Sequence, residues 1–203
     1  MFPLQPRRDR RGLTLAACLA LALLTLSPLA HADAWGLGDL MRALSQTRTA
    51  KAQFTERKYI GFLDQPVESS GELSFQAPDR LEKRTLLPKP EFLAVDGERL
   101  VVEQAGKRRM VVSLRSQPEA TAFVESVRAT LAGDQAALER FYTVELQGRA
   151  DAWRLTLTPR QDNMRKVIQR IRMEGARTDI TAIAFDQADG DRSEMRITRV
   201  DAP

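Results

Sequence analysis

Beyond residue 32 this chain has no cysteine and no histidine: its one cysteine is Cys18 and its one histidine is His31. Those absences exclude whole classes of chemistry. The remainder can form no disulfide, no Cys/His zinc site, no thiolate nucleophile, no Ser-His-Asp triad and no histidine acid–base step. Phosphate-binding loops, dinucleotide fingerprints and N-glycosylation triplets are missing as well. A strong excess of one charge is also absent. Of 31 basic and 27 acidic residues, four arginines and one aspartate fall in the first 32. Residues 33–203 are therefore close to neutral, and their charge does not point to nucleic acid.

What is present at the start reads as an address. Arg7, Arg8, Arg10 and Arg11 precede an apolar run over residues 13–26, then Ser27-Pro28 and the small-x-small triplet Ala30-His31-Ala32. This is the pattern of a secretory signal peptide cut after Ala32, and the run is short for a membrane span. Leu15-Ala16-Ala17-Cys18 looks like a lipobox, yet most of the apolar run lies after Cys18. The cysteine reads as part of the signal's apolar core. Arg10-Arg11 weakly resembles a twin-arginine signal, but no cofactor motif downstream calls for folded export. Residues 33–203 are long enough to bury one apolar core without covalent staples, and no repeat or linker divides them.

Periodicity organises that domain. Leu37, Leu40, Met41 and Leu44 make one helical stripe. Strand patterns lie at 52–60, 69–76, 81–86, 92–95, 100–103 and 109–114, with Asp96-Gly97 as a hairpin turn. Ala120, Phe123, Val124, Val127 and Leu131 mark a second helix, stopped by Gly133; Asp134 caps a third, with Ala137, Leu138 and Phe141. Strands resume at 142–147 and 153–158, where Trp153, Leu155 and Leu157 share a face. Val167, Ile171 and Met173 alternate with Ile168, Arg170 and Arg172, and a last hairpin over 180–186 and 194–200 turns at Asp189-Gly190. Connections this short imply antiparallel pairing. The expected class is mainly antiparallel β with α: one curved sheet of ten to eleven strands, its apolar face covered by amphipathic helices.

Candidate chemistry is sparse. Asp186 to Asp191 is acidic, but Ala188 stands at a ligand position of a calcium loop and the spacing is wrong, so a hairpin turn is the better reading. A carboxylate pair can run hydrolysis without histidine, and Glu56, Glu72, Glu82, Asp96 and Glu98 are available, but none is marked by its surroundings. Arg165, Lys166, Arg170 and Arg172 read as the wet face of a strand, with a docking surface for a membrane complex as the alternative. No metal, cofactor or catalytic residue is expected.

Several features in order carry a resemblance: the aromatic strand Gln53-Phe54-Thr55, Gly71-x-Leu73, the proline after it, an Asp-Gly hairpin beyond, and Leu157-Thr158-Pro159. Together they resemble the LolA-like periplasmic lipoprotein carriers over nearly all of residues 33–203. The resemblance implies an unclosed β-barrel with a helical lid over an apolar cavity. It implies a periplasmic, monomeric carrier that shields the acyl chains of a lipoprotein or another lipid. Such a carrier takes cargo from an inner-membrane export complex and passes it to an outer-membrane acceptor, without nucleic acid.

On that resemblance, Phe54, Leu73, Phe75, Leu93, Leu155 and Leu157 line the sheet side of the cavity, and Leu40, Met41, Phe123, Val127 and Leu131 line the lid. Ordinary core packing is the alternative for each. The family also implies an arginine just before the strand-ending proline, bonded to lid carbonyls. Here that position is Ala77, with Arg80 and Arg84 nearby as substitutes, which favours a divergent paralogue. Two other readings stand beside the carrier: a periplasmic sensing module of the RseB kind, and a carboxylate-dependent hydrolase.

Overall fold

The structure, a computed structural model, describes residues 35–116 and 118–200; the signal segment, Cys18 and His31 lie outside them. The first helix, α1 (Leu37–Leu44), buries Leu40, Met41 and Leu44. The Asp39 carboxylate caps it by accepting the Gly36 N–H at 3.0 Å and pairs with Arg42 one turn on.

Six strands come next: β1 (Thr49–Tyr59), β2 (Val67–Gln76), β3 (Arg80–Leu87), β4 (Glu91–Asp96), β5 (Arg99–Gln104) and β6 (Met110–Ser113). A 3-10 turn (Leu114–Ser116) leads to the long helix α2 (Pro118–Ala132) and to α3 (Gln135–Phe141). Then come β7 (Tyr142–Arg149), β8 (Ala152–Pro159), a single-turn helix α4 (Asp162–Arg165), β9 (Ile168–Ala176), β10 (Asp179–Gln187) and β11 (Arg192–Arg199). All eleven strands form one sheet, ordered β6-β5-β4-β3-β2-β1-β11-β10-β9-β8-β7, with antiparallel pairing between the strands. The first and last strands pair in the middle, while β6 and β7 remain as free edges. The sheet is therefore an unclosed barrel, as the resemblance implied.

The element between the edges is helical for local reasons. Asp134 accepts the Ala137 N–H at 2.9 Å and starts α3. Gly133, at φ +66°, separates α2 from α3, and a Cβ there would sit 2.2 Å from the Met41 carbonyl oxygen. Only glycine both stops the helix and lets α1 pack so closely.

The main core lies between the helices and the β7–β11 half of the sheet. Leu40, Leu44, Leu138, Trp153, Leu155, Leu157, Ile168, Ile171 and Met173 are all but inaccessible there. A smaller cluster of Val95, Leu100, Leu114 and Val124 holds the other half.

One alternation expected from the sequence is corrected. Ile168 does not share the wet face with Arg170 and Arg172; it is fully buried with Ile171 and Met173. The β9–β10 pairing slips between Asp186 and Gln187, which face Arg170 and Ile168. That irregularity inserts one residue and turns Ile168 inward. The single-turn helix α4 just before it has no periodicity for a sequence reading to detect.

Candidate functional site

Directly opposed residues of antiparallel strands share a face, so the helix-covered side can be followed row by row across the sheet. One row is Ala50, Phe75, Leu81, Val95 and Leu100. Another is Leu146, Leu155, Met173, Ile183 and Met195. Between the first row, the Ile183–Met195 end of the second, and α2 lies a cavity of about 410 Å³. That is the size range in which proteins hold small apolar ligands. The α2 side contributes Phe123, Val127 and Leu131, spaced one helical turn apart. Phe123 meets Phe185 of β10 edge to face, with ring centres 5.6 Å apart, joining helix to sheet.

The structure divides the candidate lining residues into two groups. Leu73, Phe75 and Leu93 on the sheet, and Phe123, Val127 and Leu131 on the helix, all border the cavity. Leu155, Leu157, Leu40 and Met41 are buried in the main core beside it. Phe54 is also buried, beneath the Lys83 ammonium, which lies 4.8 Å from its ring centre.

Charged residues interrupt this apolar face, and two of them pair with each other. Lys83 stands in the row Ala52, Leu73, Lys83, Leu93, and Glu56 continues the row of Ile183 and Met195. They meet: the Lys83 ammonium donates to Glu56 Oε2, Ser69 Oγ donates to the same oxygen at 3.4 Å, and Ser193 Oγ donates to Oε1 at 2.6 Å. Burial pushes the Glu56 carboxyl up. The Lys83 charge and the hydrogen bonds from Lys83, Ser193 and Ser69 outweigh that and hold it below its ordinary value. Both residues line the cavity. The signal for them was in the sequence: each is a charge on the apolar parity of its strand.

The helix is tied to the sheet by an arginine of its own. Arg128 of α2 donates through Nη1 to the Gly97 carbonyl at 3.0 Å, and through Nη2 to Asp79 Oδ2 at 2.9 Å. Gly97 is the tip of the β4–β5 hairpin, and Asp79 lies in the β2–β3 turn that opens with the cis Ala77–Pro78 bond. Ala77 itself donates its N–H to the Arg48 carbonyl. Arg80 pairs with Glu82, and Arg84 stacks on Phe92. A second tie is Tyr142 Oη, which donates to the Ala122 carbonyl at 2.9 Å. Burial, and secondarily the Glu125 charge, raise the Tyr142 hydroxyl's pKa, so the bond keeps its proton.

Of the remaining carboxylates, Glu98 pairs with Arg115, and Glu72 and Asp96 are exposed on their strands. Asp186, at the acidic stretch, pairs with Arg170 and Arg172. Among the described residues no cluster of carboxylates could hold a metal ion.

An incomplete antiparallel barrel, capped by helices around an apolar hollow, defines the class of protein. The chain belongs to the LolA-like outer membrane lipoprotein carrier family: a family model described as "Outer membrane lipoprotein carrier protein LolA-like" matches residues 29–198. This is a family of transport proteins, not enzymes. An outer-membrane lipoprotein carrier protein of Dechloromonas aromatica (strain RCB) is 27% identical over 188 residues, 92% of this chain and 84% of that one. Among solved structures, a LolA superfamily protein from Nitrosomonas europaea is 11% identical, with a TM-score of 0.44 over 84% of this chain and 96% of that one. The Pseudomonas aeruginosa MucA/MucB complex contains a chain 17% identical, with a TM-score of 0.39 over 82% of this chain and 58% of that one.

Proposed function

We propose that this protein is a periplasmic carrier that shields acyl chains of a lipoprotein or a related lipid in the cavity under α2. It then moves them from an inner-membrane donor complex to an outer-membrane acceptor. The observation that carries this reading is the cavity itself, bounded by Leu73, Phe75 and Leu93 on a sheet and by Phe123, Val127 and Leu131 on one helix. Each methylene withdrawn from water contributes about 0.8 kcal/mol, so one long chain suffices to hold cargo in transit. The sheet supplies a fixed wall. The helix is a separate element that can lift without breaking strand pairing.

Arg128 serves as the closing contact in this reading. The family arginine lies on the sheet and reaches the lid; here the arginine lies on the helix and reaches Gly97 and Asp79. Cargo competes with that contact, which keeps binding modest enough for release. The test is uptake of a fluorescent fatty acid or diacylated peptide by the purified protein, followed by transfer to vesicles. Saturable uptake that Val127→Trp abolishes by filling the cavity is expected; no uptake by the unaltered protein overturns the reading.

A further inference from the structure

The Glu56–Lys83 pair stands in a largely apolar wall, where both charges give up part of their hydration. A paired charge inside an apolar wall is often no more stabilising than apolar residues of equal volume. Its geometry is also lopsided. Both Glu56 oxygens are occupied, Oε1 by Ser193 and Oε2 by Lys83 and Ser69. The Lys83 ammonium has three donors and spends one on Glu56, with its charge lying over the Phe54 ring. Two donors of the ammonium therefore stay unspent, against one lone-pair site on Glu56 Oε1. Lys58, two residues along β1 from Glu56 and on the same face, also lines the cavity. Among the described residues no carboxylate pairs with it. The apolar hollow thus has one end where positive charge and free N–H groups exceed their partners.

We propose that Lys83, with Lys58 beyond it, is a head-group subsite, and that the cavity's ligand is an acyl amphiphile whose head carries an anionic oxygen. This rests on the carrier reading of the same cavity. The chain lies among Leu73, Phe75 and the α2 residues, and the head's carboxylate or phosphate oxygen accepts from Lys83. Glu56 is the fixed counter-charge that holds the ammonium in place before cargo arrives. A cationic head is disfavoured there, because Lys83 and Lys58 together outweigh the single Glu56 charge.

The experiment is displacement of a neutral fluorescent probe, N-phenyl-1-naphthylamine, from the purified protein. The competitors are palmitate, hexadecyl phosphate, methyl palmitate and hexadecyltrimethylammonium, each below its micelle concentration. Palmitate or hexadecyl phosphate should bind about tenfold more tightly than methyl palmitate, the scale of one charge-assisted hydrogen bond. Whichever anion is preferred names the head. Lys83→Met should abolish that preference, so that palmitate, hexadecyl phosphate and methyl palmitate bind alike. The double variant Glu56→Gln/Lys83→Met, which leaves no uncompensated charge, should behave alike even if the single variant folds poorly. Equal binding of anion and ester, preference for the cation, or a preference that survives in the double variant overturns the subsite and leaves the carrier reading standing. Failure of the probe and every competitor to bind overturns both.

Discussion

Arg128 and Asp79 meet across the boundary between helix and sheet, with the guanidinium Nη2 2.9 Å from the carboxylate and the arginine side chain largely enclosed. The same guanidinium holds the Gly97 carbonyl, so one side chain fastens α2 to two hairpin turns. Arg128→Met keeps the aliphatic packing and removes both bonds. It should lower stability by about 1–3 kcal/mol and speed ligand uptake. Urea unfolding and stopped-flow uptake measure the two effects; slower uptake would show that Arg128 does not hold the helix shut. Arg128→Lys should rescue only in part, because an ammonium cannot fork to two acceptors in fixed geometry.

Phe123 should matter to closure and to the wall of the cavity at once. Its ring edge rests on Phe185. Phe123→Ala removes that pair and should cost about 2–4 kcal/mol. It should also enlarge the cavity, so bulkier chains gain affinity relative to slender ones in the displacement assay.

Glu56 gives the protein a specific acid sensitivity. Its folded pKa lies below the ordinary value of 4.5. A depressed carboxylate contributes stability that is fully present above the unfolded value and is lost as pH falls through the folded one. Glu56→Gln should therefore flatten the stability profile below about pH 5 while lowering stability at neutral pH, where Lys83 loses its partner. Asp39, lowered by the Gly36 N–H and by Arg42, has the same sign. Urea midpoints taken across the acid range for the variant and the parent check this; parallel curves would count against it.

Gly175 carries the close approach of Trp153. A Cβ at residue 175 would lie 2.2 Å from the indole Cζ2 and 2.4 Å from the Asp179 carbonyl oxygen. The indole N–H donates to the Arg177 carbonyl at 3.1 Å, so the ring cannot simply move aside. Gly175→Ala should destabilise by about 2–4 kcal/mol and red-shift the Trp153 fluorescence. An unchanged spectrum and melting curve would show that this strand end yields more readily than its contacts imply.

Much of the fold was legible in the sequence. The strand at Leu73 and Phe75, the capped start of α3 at Asp134 and the hairpin at Asp96-Gly97 lie where alternation and turn chemistry place them. These signals are local: each depends on residues a few positions apart. The Ile168 face failed for a related reason, since the β9–β10 slip changes parity and leaves no mark in composition.

The order of elements, the cover of helices over one antiparallel sheet, and the absence of cysteine and histidine chemistry beyond residue 32 are thus written in the chain itself. Which apolar residues became wall and which became core was settled by packing. Leu73 and Leu155 have the same strand pattern, yet one borders the hollow and the other is sealed. Packing also settled that Glu56 meets Lys83 and that Arg128 meets Asp79, pairs 27 and 49 residues apart. Both meetings depend on register accumulated across neighbouring strands and on where α2 comes to rest. Those are long-range quantities, which no short window of residues encodes.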